Sequence, residues 1–519
     1  MSSPVPLAPD HDRSVRRWAP SRDDPLVAPA ADRIGGPLGR HAAVGRARFS
    51  ALRVLFVLAL LGLAIGWSGK AACLQQTPTA PVAADGSGAA SSPPTAASSR
   101  GSADKGKRLN WDNQREWYSL CFTTIAPTYS RKHLADGVPY WTSWREQGNG
   151  TTLTHRMDEP VGLGFAAYGA ARATAGWQWL HTHWGVPSAI SPVVFFTIVA
   201  VLLALCWLVT IWVLVKIAGE RRWFVWVAAL SPVLFVHAFT AFDLLTVALV
   251  MTGLLAWDRR RWWLAGILFG LACTTGIWPL LVLFALFLDA LNGRQYPSVP
   301  EQPHPRDALL RTTVAVLATW LTVNLPVMIG ASDGWSLYWR FWTARAPEPD
   351  SIYGAIALLT KMNLNIAVVN VISLVLGVAM IVATSVVVLR SPRRFNVYAI
   401  AFLLISGILM VAKVWSPQSA LWLVPLAVLA VRSSRVLMAW MLVEALTWVP
   451  RAGVYLAPEH HWLPPQIYPL AVVVRLIALV GVCLYIVWEH WDDEPGDDEP
   501  GPAVAAVAPH FDRSPAAAR

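Results

Sequence analysis

Two adjacent carboxylates, Asp158 and Glu159, close a Trp- and Tyr-rich stretch of mixed charge, and a third, Asp243, opens an apolar run after the short link Phe239 to Phe242. Further on, Arg345, Glu348 and Asp350 share the stretch 331–364, and Lys413 ends an apolar run just before Val414-Trp415-Ser416-Pro417-Gln418. A carboxylate can take the proton of an attacking hydroxyl, and Arg or Lys can bear the charge that develops on a leaving phosphate. Plainer roles compete with these. Asp243 could be an N-cap, Lys413 could snorkel, Asp158 and Glu159 could be solvated loop carboxylates, and Arg345 could pair with a neighbouring acid or a lipid phosphate. The aromatics before Arg345, from Trp335 to Trp342, fit an interfacial belt equally well. Position favours the chemical reading. Ionisable groups at the ends of apolar runs are costly unless paired or hydrated, and all of these fall on one side of the topology below.

Other chemistries have no support. The chain has no Walker-type phosphate loop, HExxH, CxxC pair or nucleophile elbow, so ATP hydrolysis, structural zinc and α/β-hydrolase chemistry are not indicated. No residue set suggests a resident metal or cofactor.

The elements that must position these residues are membrane helices. The 519 residues are 55% hydrophobic and 14% charged, with a mean hydropathy of +0.44. Soluble domains carry about 25% charged residues. The run Ile190 to Val215 is uncharged and exceeds the ~20 residues that cross a bilayer. The expected fold is an all-α polytopic membrane protein of about twelve transmembrane helices. Residues 1–50 read as a disordered basic arm and 51–69 as the first helix. An extracytoplasmic loop follows over 70–189, flexible over 76–107 and ordered with amphipathic helices over 108–183; Val161 to Leu180 should lie at the membrane surface. The multi-helix domain spans 190–488, with single spans expected at 222–237 and 435–452 among others, before an acidic tail over 489–519.

Arg259 to Arg261, Arg390, Arg393, Arg394, Arg432 and Arg435 fall in links placed inside, the positive-inside pattern. The net charge of +10 therefore reads as contact with anionic lipid heads and not with nucleic acid. Cys206, Cys273 and Cys483 lie in apolar runs. Cys73 and Cys121 share the long hydrophilic segment, where a disulfide and two free thiols are equally open.

Four stretches carry a resemblance: Leu120 to Tyr129 with Gly137-Val138-Pro139-Tyr140; Glu159-Pro160-Val161; Phe242-Asp243-Leu244 with Gly266 through Pro279; and Lys413 to Gln418 continuing through Leu421 to Leu426. Together with the loop around Arg345 and Asp350-Ser351, they resemble the actinobacterial members of glycosyltransferase family 87, within the C-type membrane glycosyltransferase superfamily. The resemblance spans about 110–480. It implies transfer of a sugar, often mannose, from a polyprenyl-phosphate donor to a cell-envelope lipid or glycan, at the outer face of the plasma membrane. On that reading Glu159 or Asp158 is the base, Arg345 and Lys413 contact phosphate, and Asp243, with Asp350 and Gln418, binds substrate. The chain departs from the family pattern at Thr124, where an acid is common, at Gly276, where a Lys is usual, and at Ser419. A catalytically degenerate relative that binds lipid or glycan as a scaffold is the alternative. A transporter of lipid-linked substrate is a third, disfavoured because the charges gather at one face and not at mid-membrane.

Overall fold

The computed structural model describes residues 50–78, 106–148, 151–292 and 305–491. The expected basic arm, most of the flexible stretch, Arg294 and the acidic tail lie outside the described residues. The chain divides into two compact units, Met1–Val57 and Leu58–Arg519. The described part of the first is the start of one helix; everything below concerns the second.

Helix α1 (Ala51–Ser68) leads into a 3-10 turn and a ribbon of β1 (Gln76–Pro78) with β2 (Lys107–Leu109). Short α2 (Arg115–Tyr118) and α3 (Ile125–Arg131) precede a second antiparallel ribbon, β3 (Trp144–Gly148) with β4 (Thr151–His155). The two ribbons are where the chain departs from an all-helical reading. Next come α4 (Val161–Trp184), α5 (Ser191–Ala218), α6 (Trp226–Ala229), α7 (Pro232–His237), α8 (Asp243–Asp258), α9 (Trp262–Thr275) and α10 (Pro279–Asn292). The remainder is α11 (Pro305–Gly330), α12 (Ser332–Ala344), α13 (Ile352–Thr360), α14 (Ile366–Arg390), α15 (Val397–Val411), α16 (Ala420–Ala430), α17 (Ser434–Leu446), α18 (Trp448–Tyr455) and α19 (Tyr468–Trp491).

Local sequence sets several of these boundaries. Ser351, Asn365, Asn396 and Ser433 each accept a backbone N–H of the first turn they precede, satisfying donors that have no intrahelical partner. Gly185, at φ 68°, closes α4 in the left-handed conformation that a glycine adopts without strain.

Among the described residues, five stretches are long and apolar enough to cross a membrane: Ala51–Ser68, Ser191–Ala229, Arg306–Gly330, Ile366–Arg390 and Pro465–Trp491. The twelve expected spans are not reproduced. In place of one span over 222–237, the chain makes a 3-10 turn, α6 and α7, broken at Ser231-Pro232, where proline offers no N–H to the helix. In place of one over 435–452, it makes α17 and α18, joined at Thr447. Hydropathy reports that a segment avoids water, and protein interior satisfies that as well as lipid does. Helix α15 is buried on nearly every side. By contrast, α14 buries only Val369, Gly377, Thr384 and Val388 of its 25 residues and exposes Leu374 and Val375. So large an apolar face, on a helix long enough to cross a membrane, fits contact with lipid.

Close helix contacts rest on small residues, as usual between membrane helices. A Cβ on Gly266 would come within 2.5 Å of Ala315 and of the Thr312 carbonyl, and one on Gly270 within 2.9 Å of the Val316 carbonyl, so α9 lies directly on α11. Helix α4 buries Val161, Gly164, Ala167, Ala170, Ala171 and Thr174, one face at helical spacing. Its first turn abuts Thr274 at the end of α9, and its last leads into the start of α5. Those two points lie at the same end of the bundle, because Phe196 packs on Phe239 and Thr246 bonds Thr275. Helix α4 thus runs across the helix ends.

Candidate active site

The candidate site lies at that end. Its first component is the turn that presents Glu159. Tyr140 is fully buried at φ 73° and donates its hydroxyl to the carbonyls of Glu159 (3.0 Å) and Pro160 (2.9 Å). The fit requires glycine on two helices. A Cβ on Gly164 of α4 would stand 2.2 Å from the Tyr140 hydroxyl, and one on Gly334 of α12 would stand 2.5 Å from the Tyr140 carbonyl. The backbone of Glu159 is thereby held, while its half-buried carboxyl makes no hydrogen bond among the described residues. Burial pushes the Glu159 carboxyl above the usual range; Lys132 and Arg345 oppose that rise, and Asp158 and Asp243 add to it. Asp158 differs, because its carboxylate is ion-paired with Lys132. Of the adjacent acids, Glu159 is the one whose carboxyl is unpaired among the described residues.

The second component is the start of α8. The Asp243 carboxylate accepts from the indole N–H of Trp422 at 2.7 Å, and Trp422 stacks on Trp278 with ring centres 5.3 Å apart. The Thr246 and Thr275 hydroxyls meet at 2.9 Å and tie α8 to α9. The link before Asp243 is gripped by the segment after Cys121. Thr123 donates to the Phe239 carbonyl (2.8 Å), and Thr124 donates through both its N–H (2.8 Å) and its hydroxyl (3.0 Å) to the Thr240 carbonyl. A disulfide from Cys73 to Cys121, with Cα atoms 5.6 Å apart, anchors that segment to the end of α1. Gly276 is extended at φ −174°, and a Cβ there would meet nothing closer than 3.6 Å, so the backbone does not require glycine.

The third component is cationic. Lys413 donates to the carbonyls of Thr343 (3.2 Å) and Arg345 (2.9 Å), and its own carbonyl accepts from the Glu348 N–H at 2.9 Å. Glu348 pairs with Arg345 through one carboxylate oxygen and accepts from the Ser416 hydroxyl (2.8 Å) through the other. Desolvation, then the nearby Arg345, pushes Lys413 below the usual lysine range. The turn after Lys413 is held from within: fully buried Arg475 donates to the carbonyls of Trp415 (2.7 Å) and Ser416 (3.3 Å) and pairs with Glu444 at 2.6 Å. Beside Lys413 opens an apolar groove of about 350 Å³ between α14 and α15, walled by Trp342, Leu374, Gly377, Ile381 and Ile408.

The family model for glycosyltransferase family 87 matches residues 178–417, a little under half of the chain. The match supports membership of glycosyltransferase family 87. No curated protein and no solved structure matches it. Asp243, Arg345, Asp350 and Lys413 lie inside the matched span; Asp158, Glu159 and Gln418 lie outside it. That family implies glycosyltransferase activity.

Not every residue singled out in the sequence joins the site. The charges of Asp243 and Arg345 act on Glu159, and Lys413 donates to the Arg345 carbonyl, so the four share one electrostatic neighbourhood. Asp350 stands apart. It is fully buried, both its oxygens accept from Arg451 Nε at 2.8 and 2.9 Å, and Tyr468 donates to it as well. These are the contacts of an interior ion pair. Gln418 is half-buried in the 3-10 turn Pro417–Ser419, and its side chain makes no hydrogen bond among the described residues. Lys132 and Ser416 were not legible as site neighbours, because their partners are 26 and 68 residues away in sequence.

Proposed function

We propose that this family 87 chain transfers a sugar, with mannose the first candidate, from a polyprenyl-phosphate donor to a cell-envelope lipid or glycan at the extracytoplasmic face of the plasma membrane. The observation that carries the reading is the apolar groove along the exposed face of α14, lined by Lys413, whose ammonium donates to the Arg345 carbonyl. A long prenyl chain fits its walls, and a phosphate fits its cationic end. The acceptor hydroxyl loses its proton to Glu159 as its oxygen bonds to the sugar C1. The bond from C1 to phosphate breaks on the opposite face, inverting C1, and Arg345 and Lys413 bear the charge left on the phosphate. Asp243, fixed by Trp422, orients acceptor hydroxyls. The Cys73–Cys121 disulfide supports an oxidising, extracytoplasmic location for the loop that carries Glu159. The test is incubation of membranes containing the chain with radiolabelled polyprenyl-phosphate mannose and related donors. Label should pass into lipid or glycan, and no transfer from any donor sinks the reading.

A second reading, a degenerate scaffold, rests on Thr124, whose hydroxyl is spent on the Thr240 carbonyl, and on Gly276, which offers no side chain. A Cβ at Gly276 meets no clash, which makes Gly276→Lys a usable variant. Transfer that appears only in Gly276→Lys favours the scaffold reading for the natural chain.

A further inference from the structure

Away from this site, three basic side chains gather around one buried ring. Lys70 Nζ lies 5.3 Å from the centre of the Trp448 indole, Arg451 Cζ lies 5.0 Å from it, and the His237 ring meets it edge-on at 5.0 Å. Lys70 is 2% exposed, His237 0% and Arg451 7%, so water does not solvate them. Their hydrogen bonding is incomplete. Arg451 Nη1 and both ring nitrogens of His237 are buried without a partner among the described residues. Lys70 donates to the Phe122 carbonyl (2.8 Å) and the Thr240 hydroxyl (3.0 Å), which leaves one of the three ammonium hydrogens unused.

The charges do not balance either. Arg451 is matched by Asp350 and the neighbouring Arg475 by Glu444, while Lys70 forms no ion pair among the described residues. A buried cation without a counter-ion is strongly unfavourable. Burial, then the Arg451 charge, pushes the Lys70 amine down to about 7. One negative charge would neutralise the surplus, and an ion accepting from Lys70, Arg451 Nη1 and His237 would satisfy the idle donors.

We propose that Lys70, His237 and Arg451 form a buried site for one small monovalent anion, of halide size, beside the Trp448 ring. The burial of Lys70, His237 and Arg451 favours a small ion over a lipid headgroup or a nucleotide. Because Lys70 holds Phe122 and Thr240 together, the anion secures the first loop to the α7–α8 link. This inference is independent of the proposed transferase reaction.

Purified protein in detergent, melted in sodium chloride and in sodium gluconate of equal ionic strength, tests it. A saturable rise in Tm with chloride is expected, as for any ligand that binds only the folded state, and Lys70→Met should lose it. Equal Tm in the two salts, or an equal chloride effect in Lys70→Met, overturns the proposal. Should Lys70→Met fail to fold, crystals of the natural chain grown in bromide decide. An anomalous peak within hydrogen-bond distance of Lys70 Nζ and Arg451 Nη1 supports the site, and its absence, or a water there, refutes it.

Discussion

Tyr140 donates its hydroxyl to the Glu159 carbonyl at 3.0 Å, so the backbone of Glu159 is fixed while its carboxyl is left unbonded. Burial costs that carboxyl its ordinary acidity. The pairing is what a general base needs: a defined position and a raised affinity for a proton.

Glu159→Gln should therefore lower transfer by about 100-fold or more, the usual scale for losing a general base, and Asp158→Asn by much less. In the natural chain the rate should fall as pH drops through the raised Glu159 value. The stability sign is opposite to that of a paired carboxylate. A raised acid stabilises fully below its unfolded value of about 4.3 and loses that contribution as pH rises through the folded value. Glu159→Gln should consequently melt higher than the natural chain at neutral pH, a gap that closes in acid. Rates and Tm across pH check both, and unchanged transfer in Glu159→Gln and Asp158→Asn alike removes Glu159 as base.

Tyr140→Phe deletes two hydrogen bonds and keeps the ring, so a loss of about 1–3 kcal/mol is expected, with a fall in kcat. Gly164→Ala should be worse, because its Cβ would be forced to within 2.2 Å of the Tyr140 hydroxyl. Combined with Tyr140→Phe, the alanine should cost less than it does alone. Melting of the four proteins in one detergent gives the comparison, and simple additivity would argue against the contact.

Asp350 should report on stability and not on substrate. Asp350→Asn leaves the Arg451 charge unmatched in the interior, which costs about 3–5 kcal/mol. The double change Asp350→Asn with Arg451→Met should recover part of that loss. Donor KM, measured on whatever protein folds, should not move. A large KM change in Asp350→Asn at unaltered Tm would return Asp350 to the binding site.

Removing the Cys73–Cys121 bridge, which closes a separation of 48 residues, should cost about 2–5 kcal/mol. Because the segment after Cys121 grips the Thr240 carbonyl, activity should fall along with Tm. Cys73→Ser and reduced natural protein should behave alike. The natural chain, denatured without reductant, should show maleimide labelling at Cys206, Cys273 and Cys483 and not at the bridged pair.

Composition alone determined that the chain lives in a membrane, since 55% hydrophobic residues in long uncharged runs cannot be hidden in a soluble core of this size. Four stretches taken together, from Leu120 to Leu426, suggested the glycosyltransferase family that the match over 178–417 then supported. Beyond that, local pattern runs out. Whether an apolar run is a full span, as α14 is long enough to be, or a buried fragment such as α7, depends on neighbours far along the chain. Asp158, Glu159 and Asp350 are equivalent as letters. Only the fold pairs the first with Lys132, encloses the third with Arg451 and leaves Glu159 unbonded. Hydropathy is a property of each residue and survives in the sequence, whereas pairing is a property of distance, and distance exists only once the chain has packed.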